Sequence, residues 1–247
     1  MEEYQFNIED FDINKIKDFE KEIIIESDNF CTITEACKDT LKYSRMISII
    51  GEPGFGKTKA LEHFADTNRN VIFITVKKHY SSKIFYSKIL EKAGWNNAFK
   101  ESTLTTVIES IGYYLNQSEG KYLIIIDEAG KLSHRNLLYL HDLRDSVMKN
   151  TGIVLAGPKY FEANILSLQK KNIEGIQELM RRINIWIELL SPTYAEKREL
   201  CKQYGVTNSK LLNFIAKDSK HLGDVYNYIN NFGLMYLRNI VSIDLQT

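Results

Sequence analysis

The chain has 247 residues with 32 basic and 32 acidic side chains, so its formal net charge at neutral pH is zero. Its 44% hydrophobic and 26% charged residues are typical of a globular protein, and its length allows a buried core without a disulfide or metal. The three cysteines form no close pair, which argues against a CxxC metal or redox site. No apolar run is long enough to span a membrane, and the acidic first ten residues, MEEYQFNIED, lack a secretory-signal pattern. We therefore expect a cytoplasmic protein without a membrane partner.

Charge is unevenly distributed along the chain. Residues 1–30 hold ten acidic and three basic side chains, which leaves the remainder with a basic excess. A neutral protein of this kind can still bind an anion through one face. We interpret residues 1–28 as an acidic N-terminal arm, and a merely solvated acidic tail remains the alternative.

Strands and helices alternate through the first two thirds of the sequence. Short apolar runs predict strands at residues 46–50, 71–76, 122–126, 152–156 and 184–190. Helical patterns occur between them at residues 57–66, 81–93, 102–115, 134–149 and 161–169. After Pro192 the strand signals stop, and residues 193–204, 208–217 and 222–238 predict three helices.

Continuous apolar strands that alternate with helices indicate a parallel sheet covered on both faces. We predict an α/β fold: a core with a parallel five-stranded sheet over residues 29–191, followed by a small helical lid over residues 192–247.

A complete phosphate-loop motif, GEPGFGKT, follows the first predicted strand and opens a helix. The pattern G-x-x-x-x-G-K-[ST] needs this context, in which backbone N–H groups and the helix N-terminus hold phosphate oxygens. Lys57 then supplies a charge to the β- and γ-phosphates, and the Thr58 hydroxyl is a ligand for Mg²⁺. The nucleotide-binding residues predicted here are Gly51, Glu52, Pro53, Gly54, Phe55, Gly56, Lys57, Thr58 and Lys59.

A second motif, YLIIIDEAGKL, is a buried strand that ends in two carboxylates. Asp127 would lie at the carboxyl edge of the sheet, where open α/β sheets bind ligands, and would hold the Mg²⁺ shell with Thr58. Glu128 would orient and deprotonate the attacking water, which makes it the catalytic base. The alternative, two carboxylates at an ordinary strand end, does not account for the phosphate loop upstream.

The order of these motifs resembles the AAA+ ATPases, and the fold that this resemblance implies is an AAA+ P-loop NTPase core over residues 29–191 with a small C-terminal helical lid. Within them the chain is most similar to the transposition-regulator and target-capture group, the Mu B, TnsC and IstB types. The similarity extends over about residues 28–240 and is carried by the segments FCTITEACKDTLKYSRMISIIGEPGFGKT, IDEAGKLSHRNLLYLHDLRD, GIVLAGPKYFEANI and RRINIWIELLSPTYAE.

This resemblance implies an ATP- and Mg²⁺-dependent switch that forms a homo-oligomer, either a ring or a helical filament, on double-stranded DNA. It also implies that an arginine of the adjacent subunit contacts the γ-phosphate. Arg181 and Arg182, just before the fifth predicted strand, match the usual place of that catalytic arginine. Arg144, on the helix after the Asp-Glu strand, is an alternative candidate for the catalytic arginine. The non-functional alternative is that Arg181 and Arg182 are only surface charge at a helix end.

The sequence departs from the family pattern at two positions. Pro158 stands where a polar γ-phosphate sensor usually follows the fourth strand, and the neighbouring Lys159 is a candidate to replace that sensor. Tyr226 stands where the lid of the family carries a second-sensor arginine, two positions after Gly-Asp. Both changes predict slow hydrolysis, stimulated by DNA or a partner, with ATP binding retained.

A basic stretch, KKHYSSKIFYSKILEKAG, follows the second predicted strand. In the related transposition ATPases this position directs loops at DNA, and lysines suit sequence-independent phosphate contacts. We predict Lys77, Lys78 and Lys83 as DNA-binding residues. A lysine-rich solvated helix face is the alternative.

Together these features predict an oligomeric, DNA-binding ATPase that regulates DNA transposition through target-DNA selection and transposase activation. A helicase-loader-like or protein-remodelling ATPase is a second interpretation, and a nucleotide-gated signalling module with little turnover is a third. A remodeller would need an aromatic, hydrophobic substrate loop, whereas the loop after the second strand is basic.

Overall fold

The computed structural model describes residues 10–12, 23–95 and 103–231. Its centre is a sheet of five parallel strands in the order β2-β3-β4-β1-β5. The strands are β1 (Met46–Ile50), β2 (Val71–Thr75), β3 (Tyr122–Asp127), β4 (Thr151–Gly157) and β5 (Ile185–Glu188). The α/β fold with a parallel five-stranded sheet, predicted from the sequence, is confirmed.

Burial follows the position of each strand in the sheet. Every residue of β1 and β4 is buried, as are all residues of β3 after Tyr122. These central strands are covered on both faces, which explains their unbroken apolar sequences. The outer strands β2 and β5 are only partly buried.

Helices connect the strands and cover the sheet. They are α1 (Asp28–Tyr43), α2 (Lys57–Thr67), α3 (Ser82–Lys92), α4 (Leu104–Gln117), α5 (His134–Val147), α6 (Lys159–Lys170), α7 (Ile176–Arg182), α8 (Tyr194–Gln203), α9 (Ser209–Asp218) and α10, which is described over residues 222–231. Side-chain caps begin several of them, because Ser81, Thr103 and Ser133 accept hydrogen bonds from backbone N–H groups of the first turn. None of the helices in the described ranges is long and apolar enough to cross a membrane.

Helices α1 and α7 were not predicted from the sequence. The buried face of α1 carries Ile33, Cys37 and Thr40, at spacings of four and three, and only the first of these is a strong hydrophobic signal. Helix α7 has only seven residues, so it shows little periodicity. The fifth strand is shorter than predicted, because the chain leaves the sheet before Leu190, which is 76% exposed.

The chain divides into two compact units. One contains residues 32–52 and 57–189, with the sheet and helices α2 to α7. The other combines residues of the N-terminal segment up to Cys31, the phosphate-loop tip Pro53–Gly56 and the C-terminal segment from Leu190. Its core includes Leu211 and Ile215 of α9 and Val225 of α10. The predicted boundaries at 28 and 191 remain predictions, and the part of the third lid helix after residue 231 lies outside the described residues.

Candidate nucleotide site

The phosphate loop connects the end of β1 to the start of α2. Gly54 and Gly56 have φ angles of 83° and 85°, a left-handed conformation that is strained for any residue with a Cβ. Gly51 is crowded for a different reason: a Cβ there would lie 3.0 Å from the Cβ of Leu189. Glycine at these three positions therefore allows the backbone to pass from a central strand into a helix N-terminus.

Lys57 begins α2 and reaches back over the loop. Its Nζ donates hydrogen bonds to the carbonyl oxygens of Gly51 at 2.6 Å and Glu52 at 2.9 Å. Burial lowers the pKa of Lys57, while the carboxylates of Asp127, Glu128 and Glu52 oppose that shift. These carboxylates favour the ammonium form, which is the form that contacts phosphate oxygens.

Lys59, two residues further along α2, has a different environment. Its ammonium is exposed and lies 3.5 Å from the Glu62 carboxylate. The part that Lys59 plays in the predicted nucleotide site therefore stays a prediction.

Thr58 and Asp127 are joined by a hydrogen bond. The Thr58 hydroxyl donates to Asp127 Oδ2 at 2.9 Å, which links α2 to the end of β3 across 69 residues of sequence. Asp127 is 1% exposed, and burial raises its carboxyl pKa, against the hydrogen bonds from Thr58 and the Glu128 backbone. A hydroxyl and a carboxylate held together in this way are oxygen ligands of the kind that Mg²⁺ prefers.

The described residues contain no group of three or more acidic, histidine or cysteine side chains that could hold a metal without further ligands. A Mg²⁺ ion typically takes one or two protein oxygens and completes its shell with water and substrate phosphates. Thr58 and Asp127 fit that pattern, so a metal here would depend on the nucleotide.

Glu128 directly follows Asp127 but is placed differently. Its backbone is left-handed, with φ 57° and ψ 36°, at the start of the short 3-10 turn Ala129–Lys131. The Glu128 side chain is 38% exposed, and its carboxylate lies 3.1 Å from Lys131 Nζ. An unusual backbone conformation at the end of a buried strand is common at functional sites.

The position expected for a γ-phosphate sensor lies directly after β4. Pro158 occupies it and begins α6, so it offers no side-chain donor. The next residue, Lys159, forms an ion pair with Glu188 at the end of β5. This pairing raises the pKa of Lys159, and Glu52 of the phosphate loop adds to the effect.

The two arginines at the end of α7 are not equivalent. Arg182 forms a bidentate pair with Asp145 of α5, with Nε and Nη2 at 2.7 and 2.6 Å from the two carboxylate oxygens. Its Nη1 also donates to the Glu178 carbonyl. The Arg182 guanidinium lowers the pKa of the Asp145 carboxyl. Arg181 is exposed and has no hydrogen-bond or ion-pair partner among the described residues.

Arg144, the alternative arginine, is half-buried on α5. Its two Nη atoms donate to the carbonyl oxygens of Thr151 at 3.0 Å and Ser44 at 2.6 Å. Burial lowers its pKa. Arg144 therefore ties the starts of β1 and β4 to α5, which is a structural role within one subunit.

The basic stretch begins with a tight turn after β2. Lys77 and Lys78 are exposed, and the turn is closed by a hydrogen bond from the Tyr80 N–H to the Lys77 carbonyl at 2.9 Å. Lys83 lies in the first turn of α3 and is half-buried. The Lys88 ammonium lies 5.6 Å from the centre of the Tyr80 ring, so its charge stays near the same turn.

Asn29 is a residue that the sequence analysis missed. It is 7% exposed, and its side-chain amide donates to the carbonyl oxygens of Leu190 at 2.8 Å and Phe55 at 3.4 Å. Its Oδ1 accepts from the Leu190 N–H at 3.2 Å. Asn29 thus connects the start of α1, the tip of the phosphate loop and residue 190. No motif or periodicity marks it.

Comparison with known proteins agrees with this geometry. The AAA domain family matches residues 40–165, which is about half of the chain and includes the phosphate loop, β3 and β4. The Mu-like prophage FluMu DNA transposition protein B of Haemophilus influenzae is 31% identical over 114 residues, or 45% of this chain. That match spans 37% of the length of the relative.

Solved structures share the fold at low identity. The Aeropyrum pernix ORC1 protein in complex with DNA has a TM-score of 0.65 at 13% identity. The match covers 87% of this chain and 62% of the ORC1 chain. Domain III of the Thermotoga maritima replication initiation protein DnaA has a TM-score of 0.57 at 16% identity, and covers 93% and 91%. The chain belongs to the AAA domain family of ATPases and is similar, within it, to the transposition-regulator type that its sequence resembles.

Proposed function

We propose that this chain is an oligomerising, DNA-binding ATPase that regulates DNA transposition by selecting target DNA and activating a transposase. The observation that carries the DNA part of this proposal is the exposed Lys77–Lys78 turn. It follows β2 at the carboxyl edge of the sheet, the edge at which Asp127 and the phosphate loop also lie. The similarity to a DNA transposition protein supports it.

The chain's own residues define the nucleotide chemistry. The loop backbone and Lys57 would bind and orient the triphosphate, and Glu128 would orient the attacking water and accept its proton. A Mg²⁺ ion at Thr58 and Asp127 would neutralise phosphate charge. Arg181 is the better placed of the arginine pair to act on the nucleotide of an adjacent subunit, because Arg182 is held by Asp145.

A DNA-binding mechanism follows from the size of the lysine cluster. Two or three phosphate contacts in one subunit would give weak binding, whereas an oligomer that repeats them along a duplex would bind tightly through multivalency. Binding should therefore require ATP, be largely independent of sequence, and weaken steeply with salt as counterions are released.

A titration of labelled duplex DNA with ATP, with ADP and without nucleotide tests this proposal. The triple substitution Lys77→Ala, Lys78→Ala, Lys83→Ala should reduce the salt slope by about 0.9 for each lysine that contacts a phosphate, with ATP binding unchanged. The control removes three exposed lysines of α8 and α9, Lys202, Lys210 and Lys217, which takes away the same charge elsewhere.

An unchanged affinity and salt slope in the triple variant would show that the basic stretch is only a solvated surface. Absence of DNA binding by the wild-type protein with ATP would favour the helicase-loader-like or protein-remodelling function instead. The nucleotide-gated signalling function is favoured by two observations: position 158 is a proline without a side-chain donor, and position 226 is a tyrosine and not an arginine. It predicts ATP binding with negligible turnover even in the presence of DNA.

A further inference from the structure

The turn between α9 and α10 is fixed by an aspartate. Asp224, in the first turn of α10, accepts hydrogen bonds from the backbone N–H groups of Lys220 at 2.8 Å and His221 at 3.3 Å. A carboxylate that reaches back to the N–H groups before a helix satisfies donors that have no partner within the helix. The turn therefore presents His221 in a defined position.

His221 packs against the tip of the phosphate loop. A Cβ built on Gly54 would lie 2.7 Å from His221 Nδ1, 2.9 Å from its Cγ and 3.2 Å from its Cβ. Gly223 is also close to the loop, since a Cβ there would lie at an ordinary contact distance of 3.5 Å from the Gly54 Cα. The glycine at position 54 is thus required by the imidazole as well as by its own φ of 83°.

The imidazole is held by packing and lies close to a carboxylate, without a well-aligned hydrogen bond. His221 Nδ1 is buried without a hydrogen-bond partner among the described residues, and it lies 3.2 Å from Asp224 Oδ2. A buried ring nitrogen that lacks an aligned partner is unusual. It leaves the ring able to follow a change in the loop, because no directional bond has to break.

Tyr226 lies two positions after Asp224 and is 42% exposed. It stands at the position where the resembled family carries a lid arginine, and its ring lies 6.0 Å from the ring of Tyr204 in an edge-on arrangement. A lid side chain that does meet the tip of the phosphate loop is His221, five residues earlier in the sequence.

We propose that His221 is a positioning residue that couples the start of α10 to the conformation of the phosphate loop through Gly54. The inference rests on the proposed ATP binding by that loop. When the loop binds phosphates, its tip fixes the imidazole, and Asp224 transmits that constraint to the first turn of α10.

A double-mutant cycle with a matched glycine tests the contact. Gly54→Ala adds a methyl group both at a positive φ and against His221. Gly56→Ala shares the backbone strain at φ 85°, but its Cβ would meet only the Leu222 side chain at an ordinary 3.9 Å. We expect His221→Ala to improve ATP affinity of the Gly54→Ala protein by at least about twofold, and to leave that of the Gly56→Ala protein unimproved.

Two further measurements apply where ATP affinity becomes too weak to measure. In the absence of nucleotide, His221→Ala should raise the Tm of the Gly54→Ala protein but not that of the Gly56→Ala protein. In the wild-type protein, ATP should slow amide hydrogen exchange in residues 222–231. His221→Ala should remove that protection, and Tyr226→Phe should retain it.

Two outcomes would overturn the proposal. One is that His221→Ala has equal effects on both glycine variants, in ATP affinity and in Tm. The other is that ATP still fully protects residues 222–231 in the His221→Ala protein. The proposed function would instead be refuted if the wild-type protein bound no ATP. Lys57→Ala is the reference for lost ATP binding. The Tm cycle would still report the contact in that case, so the two failures are distinguishable.

Discussion

Two pairs of neighbouring charged residues, Asp127–Glu128 at the end of β3 and Arg181–Arg182 at the end of α7, show how adjacent side chains acquire different environments. In the acidic pair Asp127 is buried and bonded to Thr58, while Glu128 is partly exposed beside Lys131. In the basic pair Arg182 is fixed by Asp145, while Arg181 is exposed. Each pair thus has one fixed member and one that is available for chemistry.

The physical causes of the separation differ. In the acidic pair the backbone is responsible, because the left-handed conformation of Glu128 ends the strand and turns its side chain away from the path of β3. In the basic pair a tertiary partner is responsible, since both arginines are helical but only Arg182 meets a carboxylate of α5. The first cause is local to the motif, and the second is not.

The largest effect is expected at Arg181. An arginine supplied to a phosphoryl-transfer site contributes about 10³–10⁵ in rate, so Arg181→Ala should reduce ATP turnover by about a thousandfold or more without a change in Tm. The matched variant Arg182→Ala should lower the free energy of unfolding by about 0.2–1 kcal/mol, since the lost pair is partly exposed. Steady-state turnover and thermal unfolding of both proteins provide the test.

Mixing experiments show whether Arg181 acts in an adjacent subunit. Arg181→Ala and Lys57→Ala subunits are each inactive for a different reason, so a mixture should recover part of the turnover. No recovery from two folded variants would argue against a shared site. A larger loss of turnover in Arg182→Ala than in Arg181→Ala would reverse the roles assigned to the pair.

A smaller effect on rate is expected at Glu128. Glu128→Gln removes the base and keeps the shape of the side chain, so turnover should fall by about 10²–10⁴-fold while ATP affinity is retained. Single-turnover hydrolysis and equilibrium ATP binding separate these two properties. Lys131→Ala serves as the control, because it removes the partner of Glu128 but not the carboxylate. Loss of ATP affinity in Glu128→Gln would contradict the assignment of the metal ligand to Asp127 and of the catalytic base to Glu128.

The smallest effect is expected in the stability of Asp127→Asn. Burial raises the Asp127 pKa, so the native state binds this proton more tightly than the unfolded state. The stabilisation is present below the unfolded pKa and is lost as pH rises through the folded pKa. Without nucleotide, Asp127→Asn should therefore raise Tm at neutral pH, by roughly 2–4 °C for each kcal/mol gained, and have no advantage below about pH 4.

The same substitution should weaken Mg²⁺-dependent ATP binding, because one carboxylate ligand is lost. Asp39→Asn, at an exposed position of α1, is the control and should leave both Tm and ATP binding unchanged. A lower Tm for Asp127→Asn at neutral pH would show that the ionised carboxylate is stabilised by its hydrogen bonds to a greater extent than burial penalises it.

The fold and the acidic pair were accessible from the sequence for a local reason. The run YLIIIDE contains its own strand, strand end and carboxylates, and GEPGFGKT contains the turn glycines together with the residues that they position. Both motifs are contiguous, so a reading of the sequence specifies which side chains belong together. The structure places Thr58 and Asp127 in direct contact, as their predicted common role requires.

Other features depended on partners that are distant in sequence. The sequence presented Arg181 and Arg182 as equivalent, and only the position of Asp145, 37 residues earlier, distinguishes them. Asn29 carries no motif, and it gains its hydrogen bonds from Leu190, 161 residues away. His221 was absent from the sequence analysis because its neighbour Gly54 belongs to a different motif.

The sequence by itself thus determined the five strands, the helices between them other than α7, the phosphate-loop motif and the identity of the two carboxylates, because hydrophobic periodicity and glycine-rich turns act over a few residues. The tertiary structure alone decided which arginine is exposed, that Lys159 is paired with Glu188, and that His221 faces the phosphate loop. Those assignments depend on hydrogen bonds, ion pairs and close packing between segments, and such contacts exist only after the chain has brought the segments together.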